Sequence, residues 1–378
     1  MNKIKVFVDE LYLTGDSCAW AFTNPMDKAI CKRLLEKRRR QFIKHLESEG
    51  FEITTDRNEA KNSICLVMNP ESLSCDDSSK MSIKEAYDEK MFKGAGEGIN
   101  IPLSLPIDLF YIEPFFPAVF KNEFTNGGED KLLIETEEQF LKIMKLYFSS
   151  LSNPKLHEEF QGCIMQDFIE TPTKYTTYIR VYMGAAGNVM GATLKYKLPA
   201  TVKKEPTGLF EEYFCDPSSP YYLDCKNMFG YYSKGSEISF SQPSYSSEKK
   251  EILEAHGISV DIREPENKLF DPTTINVPES ILEVCRNMMK NCKEELGIVA
   301  GFDFILNKRD GKWYFLENQA FAAPDEWARP NGIKIPKSSS KVEDYVKYLD
   351  IDIQARYYAL KAYVVKLQLD DEMKLVRK

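Results

Sequence analysis

This sequence predicts a mixed α/β and α+β chain of two or three lobes, and three observations carry the prediction. A short apolar strand, a long charged helix and two further strands open the chain in the order of a small β-α-β unit. Runs rich in Phe, Tyr, Val and Ile, punctuated by glycine turns, then recur through the middle and near the end. Finally, 378 residues exceed what one simple core organises. Hydrophobic residues at 43% and charged residues at 29% give an ordinary globular balance.

Composition also bounds function. A net charge of −8 argues against a bulk electrostatic grip on nucleic acid. No apolar run approaches a membrane span, and the N-terminal MNKIKVFVDELYL lacks the core and cleavage site of a signal peptide. Nine scattered cysteines without a C-x-x-C pair read as reduced structural thiols, so a cytoplasmic protein is expected. None of the three histidines lies beside a nucleophile motif, which leaves a histidine triad without support.

In chain order, Lys3–Val8 reads as a buried strand and 26–49 as a helix. Its apolar positions Ile30, Leu34, Leu35, Phe42, Ile43 and Leu46 roughly share a face, and the basic run Lys37–Gln41 reads as a solvated one. Strands at Phe51–Thr55 and Ser63–Met68 precede a polar loop, Glu71–Ser82, and a helix at Ile83–Phe92. Gly94–Pro106 is punctuated like a lobe boundary. A strand at Phe115–Lys121, the glycine-bearing loop Asn122–Lys131, a strand at Leu132–Ile134 and a helix at Thr136–Ser149 come next. Cys163–Glu170 reads as a strand, and Tyr175–Met183 with Val189–Lys197 as a hairpin. Residues 199–280 are aromatic-rich and Pro/Ser-punctuated and take no assignment; Glu279–Leu296 is a helix, and another spans about 351–368. The expected division is 1–100, 101–165, 166–330 with an insertion at about 199–280, and a helical tail at 331–378.

The chemistry concentrates in Gly301–Ala320, GFDFILNKRDGKWYFLENQA. Gly301–Asn307 and Lys312–Asn318 read as strands around an Asp310-Gly311 turn. A three-residue loop with Gly311 in the left-handed position pairs Lys308 with Lys312 and sets Asp303 opposite Glu317. Phe302, Phe304, Leu306, Tyr314 and Leu316 then fill one face, and Ile305, Trp313 and Phe315 the other. Like charges directly opposite one another are destabilising unless neutralised, and a divalent cation such as Mg²⁺ is the economical neutraliser. A register slip, or a wetted strand end, is the plainer alternative.

Three further features precede this hairpin. Lys121 ends a strand just before Asn126-Gly127-Gly128, where glycines let backbone N–H groups close on phosphate oxygens. Gln166–Ile169 is a strand end whose backbone an adenine can read. Arg180, Lys195 and Lys197 lie on the two arms of one hairpin. Each is compatible with ordinary structure. Together they supply a phosphate-covering loop, cations and a carboxylate-held metal, the parts of phosphoryl chemistry.

The order of GINIP (98–102), FPAVFK with its glycine loop, MQDFIE, YIRVYMGAAGNVMGATLKYK and GFDFI…WYFLEN resembles the ATP-grasp family of carboxylate–amine and carboxylate–thiol ligases, over roughly 85–325. The resemblance implies an ATP-grasp fold: an N-terminal α/β (pre-ATP-grasp) domain and two ATP-binding lobes. It implies Lys121 on the α/β-phosphates with Gly127 and Gly128 folding over them, and Gln166, Asp167, Phe168 and Ile169 around adenine. Arg180 and Lys195 would face the γ-phosphate or acyl phosphate, and Asp303, Glu317 and Gln319 would hold Mg²⁺. A second ATP lysine is implied upstream, taken as Lys90, with Lys80 and Lys84 competing. The family's Glu-x-Asn ending is here Glu317-Asn318-Gln319, so Gln319 offers its amide oxygen, or Asn318 does if the strand bulges. The implied activity joins a small-molecule carboxylate to an amine, amino acid or peptide, with a homodimer left open. A kinase on the same fold and an inactive nucleotide-binding protein are the rivals. Lys308-Arg309-Asp310-Gly311 mimics the nucleotidyl-lysine motif of RNA ligases, which its place in a hairpin turn makes a coincidence.

Overall fold

The computed structural model describes residues 4–9, 13, 24–66, 99–122, 131–197, 200–201, 209–224, 226–227, 235–239, 246–259, 277–291, 297–319 and 341–376. Three sheets organise them: one parallel and N-terminal, two antiparallel.

In the first sheet β1 (Lys5–Val8) runs between β2 (Glu52–Thr54) and β3 (Ile64–Leu66), parallel to both. A parallel strand is covered on both faces, which is why Val6, Phe7 and Val8 form an unbroken buried run. Helix α1 (Pro25–Ser48) starts where the Asn24 side chain accepts the Met26 N–H, with proline in the first turn. It buries Cys31, Leu35, Arg39, Phe42 and Leu46, whose spacing of three and four traces one helical stripe. That stripe leaves the expected core residues Ile30 and Leu34 exposed. The basic run Lys37–Gln41 is solvated as expected at Lys37, Arg38, Arg40 and Gln41, while Arg39 is buried within the stripe.

The second sheet has the order β10-β11-β6-β5-β7-β4. Its strands are β4 (Ser104–Pro106), β5 (Ala118–Asn122), β6 (Lys131–Ile134), β7 (Cys163–Asp167), β10 (Ala200–Thr201) and β11 (Lys226–Asn227). Helices α2 (Ile107–Ile112), α3 (Glu137–Ser150) and α4 (Pro154–Gln161) belong with it. The α3 start is set by a capping box between Thr136 and Gln139. Ala118, Phe120, Leu132, Ile134 and Met165 on one face of the sheet pack with Phe140, Ile143 and Met144 of α3. Phe210 and Phe214 of α5 (Leu209–Phe214) complete that core. The first part of the 199–280 stretch, expected as an insertion in the 166–330 lobe, therefore pairs and packs with this sheet instead.

The remaining part of that stretch joins the third sheet, order β12-β9-β8-β13-β14. It comprises β8 (Thr176–Gly184), β9 (Val189–Lys197), β12 (Gly235–Ser239), β13 (Val299–Leu306) and β14 (Trp313–Gln319). One face of it, with Ile179, Val181, Leu194, Phe302, Phe304 and Phe315, packs on α6 (Ser247–Ala255) and α7 (Glu279–Asn291).

The last helix, α8 (Val342–Val376), is longer at both ends than the expected 351–368. It runs alongside α1 in the same direction, shown by Arg38–Asp350 at 3.5 Å followed by Glu49–Lys361 at 3.0 Å. Ile351, Ala355, Ala359 and Leu360 of α8 share a core with Val6, Val8 and Phe42 on one side and Tyr182, Met190 and Val299 on the other. The N-terminal and five-stranded sheets are thus joined through this helix.

Candidate active site

Asp303 pairs directly with Glu317, as the sequence predicts, but by a different route. Asn307 N–H donates to Lys312 O at 2.9 Å and Gly311 N–H to Asn307 O at 2.9 Å. The loop between them is therefore Lys308–Gly311, one residue longer than expected, with Gly311 at φ 67° in the left-handed region that favours glycine. From the turn the register runs Leu306↔Trp313, Ile305↔Tyr314, Phe304↔Phe315, one step off the expected pairing. A bulge that leaves Leu316 extra then restores it, so that Asp303 meets Glu317 and Gly301 meets Gln319. The longer loop moves Trp313 and Phe315 to the Phe304 face and Tyr314 to the Ile305 face, correcting the expected facing residues. Because the bulge precedes Glu317, Gln319 rather than Asn318 occupies a register position on the face of the acid pair.

The neighbouring strand completes the arrangement. β8 pairs with β13 so that Arg180 lies opposite Asp303, and with β9 so that Arg180 lies opposite Thr193 and Tyr178 opposite Lys195. Arg180, Lys195, Asp303 and Glu317 consequently share one sheet face, the one turned away from α6 and α7. Arg180 donates to both Asp303 oxygens, Nε to Oδ1 at 2.7 Å and Nη2 to Oδ2 at 2.6 Å, and reaches within 4.0 Å of Glu317 Oε1. Such a fork is the strongest form of this contact. Arg180 is 8% exposed and Asp303 2%. Burial pushes the Asp303 carboxyl up from the ordinary carboxylate range, while the charge and hydrogen bonds of Arg180, and more weakly Lys195, pull it back. The neutralising charge that the sequence suggested for a divalent cation is here supplied by Arg180. Among the described residues no group of three or more His, Cys, Asp or Glu side chains is placed to hold a metal.

A strap of chain links the β14 edge of this sheet to the six-stranded sheet. Asn100 bridges to Tyr314, its carbonyl accepting from Phe315 N–H at 2.8 Å and its side chain donating to Trp313 O at 3.1 Å. A few residues later Leu103 O accepts from Asp167 N–H at 2.7 Å, and β4 pairs with β7. The hairpin turn docks on the same region, with Lys308 N–H donating to Glu170 O at 2.7 Å and Lys308 Nζ to Glu170 Oε1 at 2.9 Å. The lysine of the nucleotidyl-like motif is thus a tie between elements.

On the six-stranded sheet the face opposite the α3 core carries a small apolar cluster of Val119, Leu133 and Phe168. Lys121 follows Val119 by two residues, on the same face, and its register partner on β6 is Lys131. Both lysines are half-buried. Gln166 faces the same side, its amide donating to Ser104 Oγ at 2.8 Å. The backbone N–H groups of Asp167 and Phe168, offered to adenine in the sequence reading, are engaged by Leu103 O and Pro117 O. Burial pushes the Asp167 carboxyl up, with Arg309 opposing. Ile169 is buried. Lys80, Lys84 and Lys90, the helix at 83–92, Gly127, Gly128 and the 330–340 stretch lie outside the described residues, as do the side chains of Lys197, Asn318 and Gln319.

Solved ATP-grasp ligases match this chain along most of its length. A D-alanine–D-alanine ligase from Bacillus anthracis complexed with ATP aligns over 96% of this chain and 99% of its own, at 12% identity and a TM-score of 0.36. The ATP-grasp ligase PsnB complexed with a minimal precursor aligns over 92% and 78%, at 11% identity and a TM-score of 0.33. A RiPP-associated ATP-grasp ligase from Chryseobacterium gregarium, in complex with ADP and a leader and core peptide, aligns over 76% and 63%, at 13% identity and a TM-score of 0.32. No protein-family model and no curated protein matches the sequence. No helix among the described residues is long and apolar enough to cross a membrane.

Sequence reasoning brought Arg180, Lys195, Asp303 and Glu317 to one place and missed that Arg180 grips Asp303. The signal was available: Arg180 and Asp303 are the charged residues of otherwise apolar stretches, IRV and GFDFI, and buried opposite charges pair.

Proposed function

We propose that this chain is an ATP-dependent carboxylate–amine ligase working through an acyl phosphate. The observation that carries the reading is the convergence of Arg180, Lys195, Asp303 and Glu317 on one sheet face, strapped to a second sheet whose outer face sets Lys121 beside an apolar strip. The Val119–Leu133–Phe168 strip suits a nucleobase, and Lys121 the phosphates that follow it. Arg180 and Lys195 concentrate positive charge where a phosphoryl group would pass, preorganised and partly shielded from water. A substrate carboxylate oxygen attacks the γ-phosphorus, the bond to the ADP oxygen breaks, and ADP leaves. An amine then attacks the acyl carbon, phosphate departs, and the amine nitrogen gives up a proton.

Two carboxylates in register offer the oxygen donors Mg²⁺ prefers, yet Asp303 already commits both oxygens to Arg180. As they stand these residues do not fit a divalent cation, and no step above passes through one. The test is ATP turnover with pooled carboxylates, amino acids and peptides in the presence of hydroxylamine. ADP together with a hydroxamate is the expected result. ADP with a stable phosphorylated product would make the chain a kinase, AMP would mean adenylation, and nucleotide binding without turnover would make it a binding protein.

A further inference from the structure

We propose that the outer faces of α2 and α3 form a two-fold interface between two copies of this chain, with Ile112 of each copy seated in a hollow of the other. These helices cover the side of the six-stranded sheet opposite the Val119–Leu133–Phe168 face, so this surface lies apart from the candidate active site. Helix α2 buries Ile107 and Phe110, and α3 buries Phe140, Ile143 and Met144, which gives each the one apolar stripe that the sheet requires. Each helix carries more than that. Leu109, Tyr111 and Ile112 of α2 are exposed, as are Leu141 and Phe148 of α3 and Leu151 at its end. Tyr111 and Phe148 meet edge to face with ring centroids 6.4 Å apart, which joins the exposed residues of the two helices. Helical spacing of three extends this surface from Phe148 to Leu151 and sets Leu109 beside Ile112.

Between the helices lies a shallow, open hollow of about 500 Å³, lined by Tyr111, Leu141, Met144, Lys145, Phe148 and Ser149. Beside it stands a knob: Ile112, the last residue of α2, is 77% exposed. Tyr111 is a wall of the hollow and the neighbour of the knob. A two-fold axis close by therefore lets each copy fill the other's hollow, the self-complementarity that an isologous contact needs. Charge points to the same pairing. Glu113 follows the knob directly and Lys145 lines the hollow, and both are exposed. Lys145 lies over the Tyr221 ring at 5.9 Å, and among the described residues neither Glu113 nor Lys145 has an ion-pair partner within the chain. Seating Ile112 in the partner's hollow carries Glu113 to the partner's Lys145, and the symmetry makes that pair twice. The area also fits a second copy. The exposed side chains offer on the order of 400–500 Å² of apolar surface. One side of a standard interface buries about 800 Å², a little over half of it apolar.

The experiment is sedimentation equilibrium of the full chain from about 1 to about 100 μM, a range in which a specific dimer forms. It compares wild type with Ile112→Asp, Lys145→Glu, Glu113→Lys and the exchange Glu113→Lys/Lys145→Glu. Wild type is expected to dimerise. Ile112→Asp should weaken the dimer about 30-fold or more, the scale of a central apolar anchor. Lys145→Glu and Glu113→Lys each set like charges together twice across the axis and should weaken it about 10-fold or more. The exchange should return to within about 3-fold of wild type. An equal mixture of Lys145→Glu and Glu113→Lys should associate more tightly than either variant alone, because their heterodimer has opposite charges at both crossings. A wild type that stays monomeric at about 100 μM would overturn the proposal and leave this surface to a different protein. So would a dimer unmoved by Ile112→Asp, which places the interface elsewhere. Charge variants that neither the exchange nor the mixture rescues would overturn it as well. If Ile112→Asp melts early, Ile112→Ser repeats the anchor test without adding a charge.

Discussion

The two antiparallel sheets each set a like-charged pair in register, one built on a buried acid and the other half-buried near the ends of its strands. In the five-stranded sheet the pair is Asp303 and Glu317, and the sheet supplies its own counter-charge: Arg180, one strand over, forks onto Asp303. In the six-stranded sheet the pair is Lys121 and Lys131, near the ends of β5 and β6 and beside the buried Val119 and Leu133. A buried pair closed by a bidentate partner is part of the fold. The lysine pair is only half-buried, so water lowers the cost of its repulsion. The same like-charge pairing therefore meets a low-dielectric interior in one sheet and a half-solvated surface in the other.

The largest expected effect would break this comparison if absent. Removing one partner of a buried, hydrogen-bonded ion pair leaves the other charge stranded, a cost of roughly 3–5 kcal/mol. Arg180→Met and Asp303→Leu should each lower the unfolding free energy from urea titration by an amount of that order. The double variant Arg180→Met/Asp303→Leu should be far less destabilised than the sum of the single losses, because neither charge remains to be desolvated. Additive losses, or single variants with wild-type midpoints, would mean that Arg180 is not the structural counter-ion.

Glu317 should behave differently from its register partner. Its side chain is 41% exposed and lies 4.0 Å from Arg180, so its charge is largely solvated. Glu317→Gln should keep the wild-type melting curve and, since no step of the reaction is assigned to its charge, ATP turnover within about 3-fold of wild type. A loss of about 100-fold would instead put the acid pair, and a cation held through it, into the reaction.

The contrast between these residues also shows what was legible in the sequence. Runs of aromatic and β-branched residues placed the strands, and turn chemistry at Asp310-Gly311 placed the hairpin. The Asp303–Glu317 pairing followed from an incorrect loop length that the bulge at Leu316 happens to cancel. A bulge depends on how one strand fits its neighbours and leaves no mark in the composition. The Arg180–Asp303 fork was hidden for a related reason: β8 and β13 are adjacent in space although more than a hundred residues separate them, as the 123-residue interval between the two side chains records. The 199–280 stretch eluded assignment because its pieces serve two different sheets, so no single periodicity runs through it. The apolar stripe of α1 was shifted because Arg39 stands where a pattern of apolar letters expects none.

The smallest expected effect sharpens the picture of the five-stranded sheet as internally satisfied. On its helix-covered side His256 is 2% exposed, with Nδ1–H donating to Ile252 O at 2.6 Å and Nε2 accepting from the Thr177 hydroxyl. Both ring nitrogens are thus used in the neutral form. Burial pushes the imidazole pKa below its usual value, with the Ile252 carbonyl opposing. A histidine depressed in the folded state binds its proton more readily in the unfolded one. Its contribution is therefore complete above the unfolded value near 6.5 and lost as the pH falls below it, levelling off beneath the folded value. The slope cannot exceed about 1.4 kcal/mol per pH unit for one group. Urea midpoints taken from pH 8 to pH 5 should fall for the wild type and flatten for His256→Asn, which keeps hydrogen-bonding capacity without a titrating group. An identical slope in both would assign the pH dependence to another residue and show that the neutral Thr177–His256–Ile252 chain of hydrogen bonds is not what acid disrupts first.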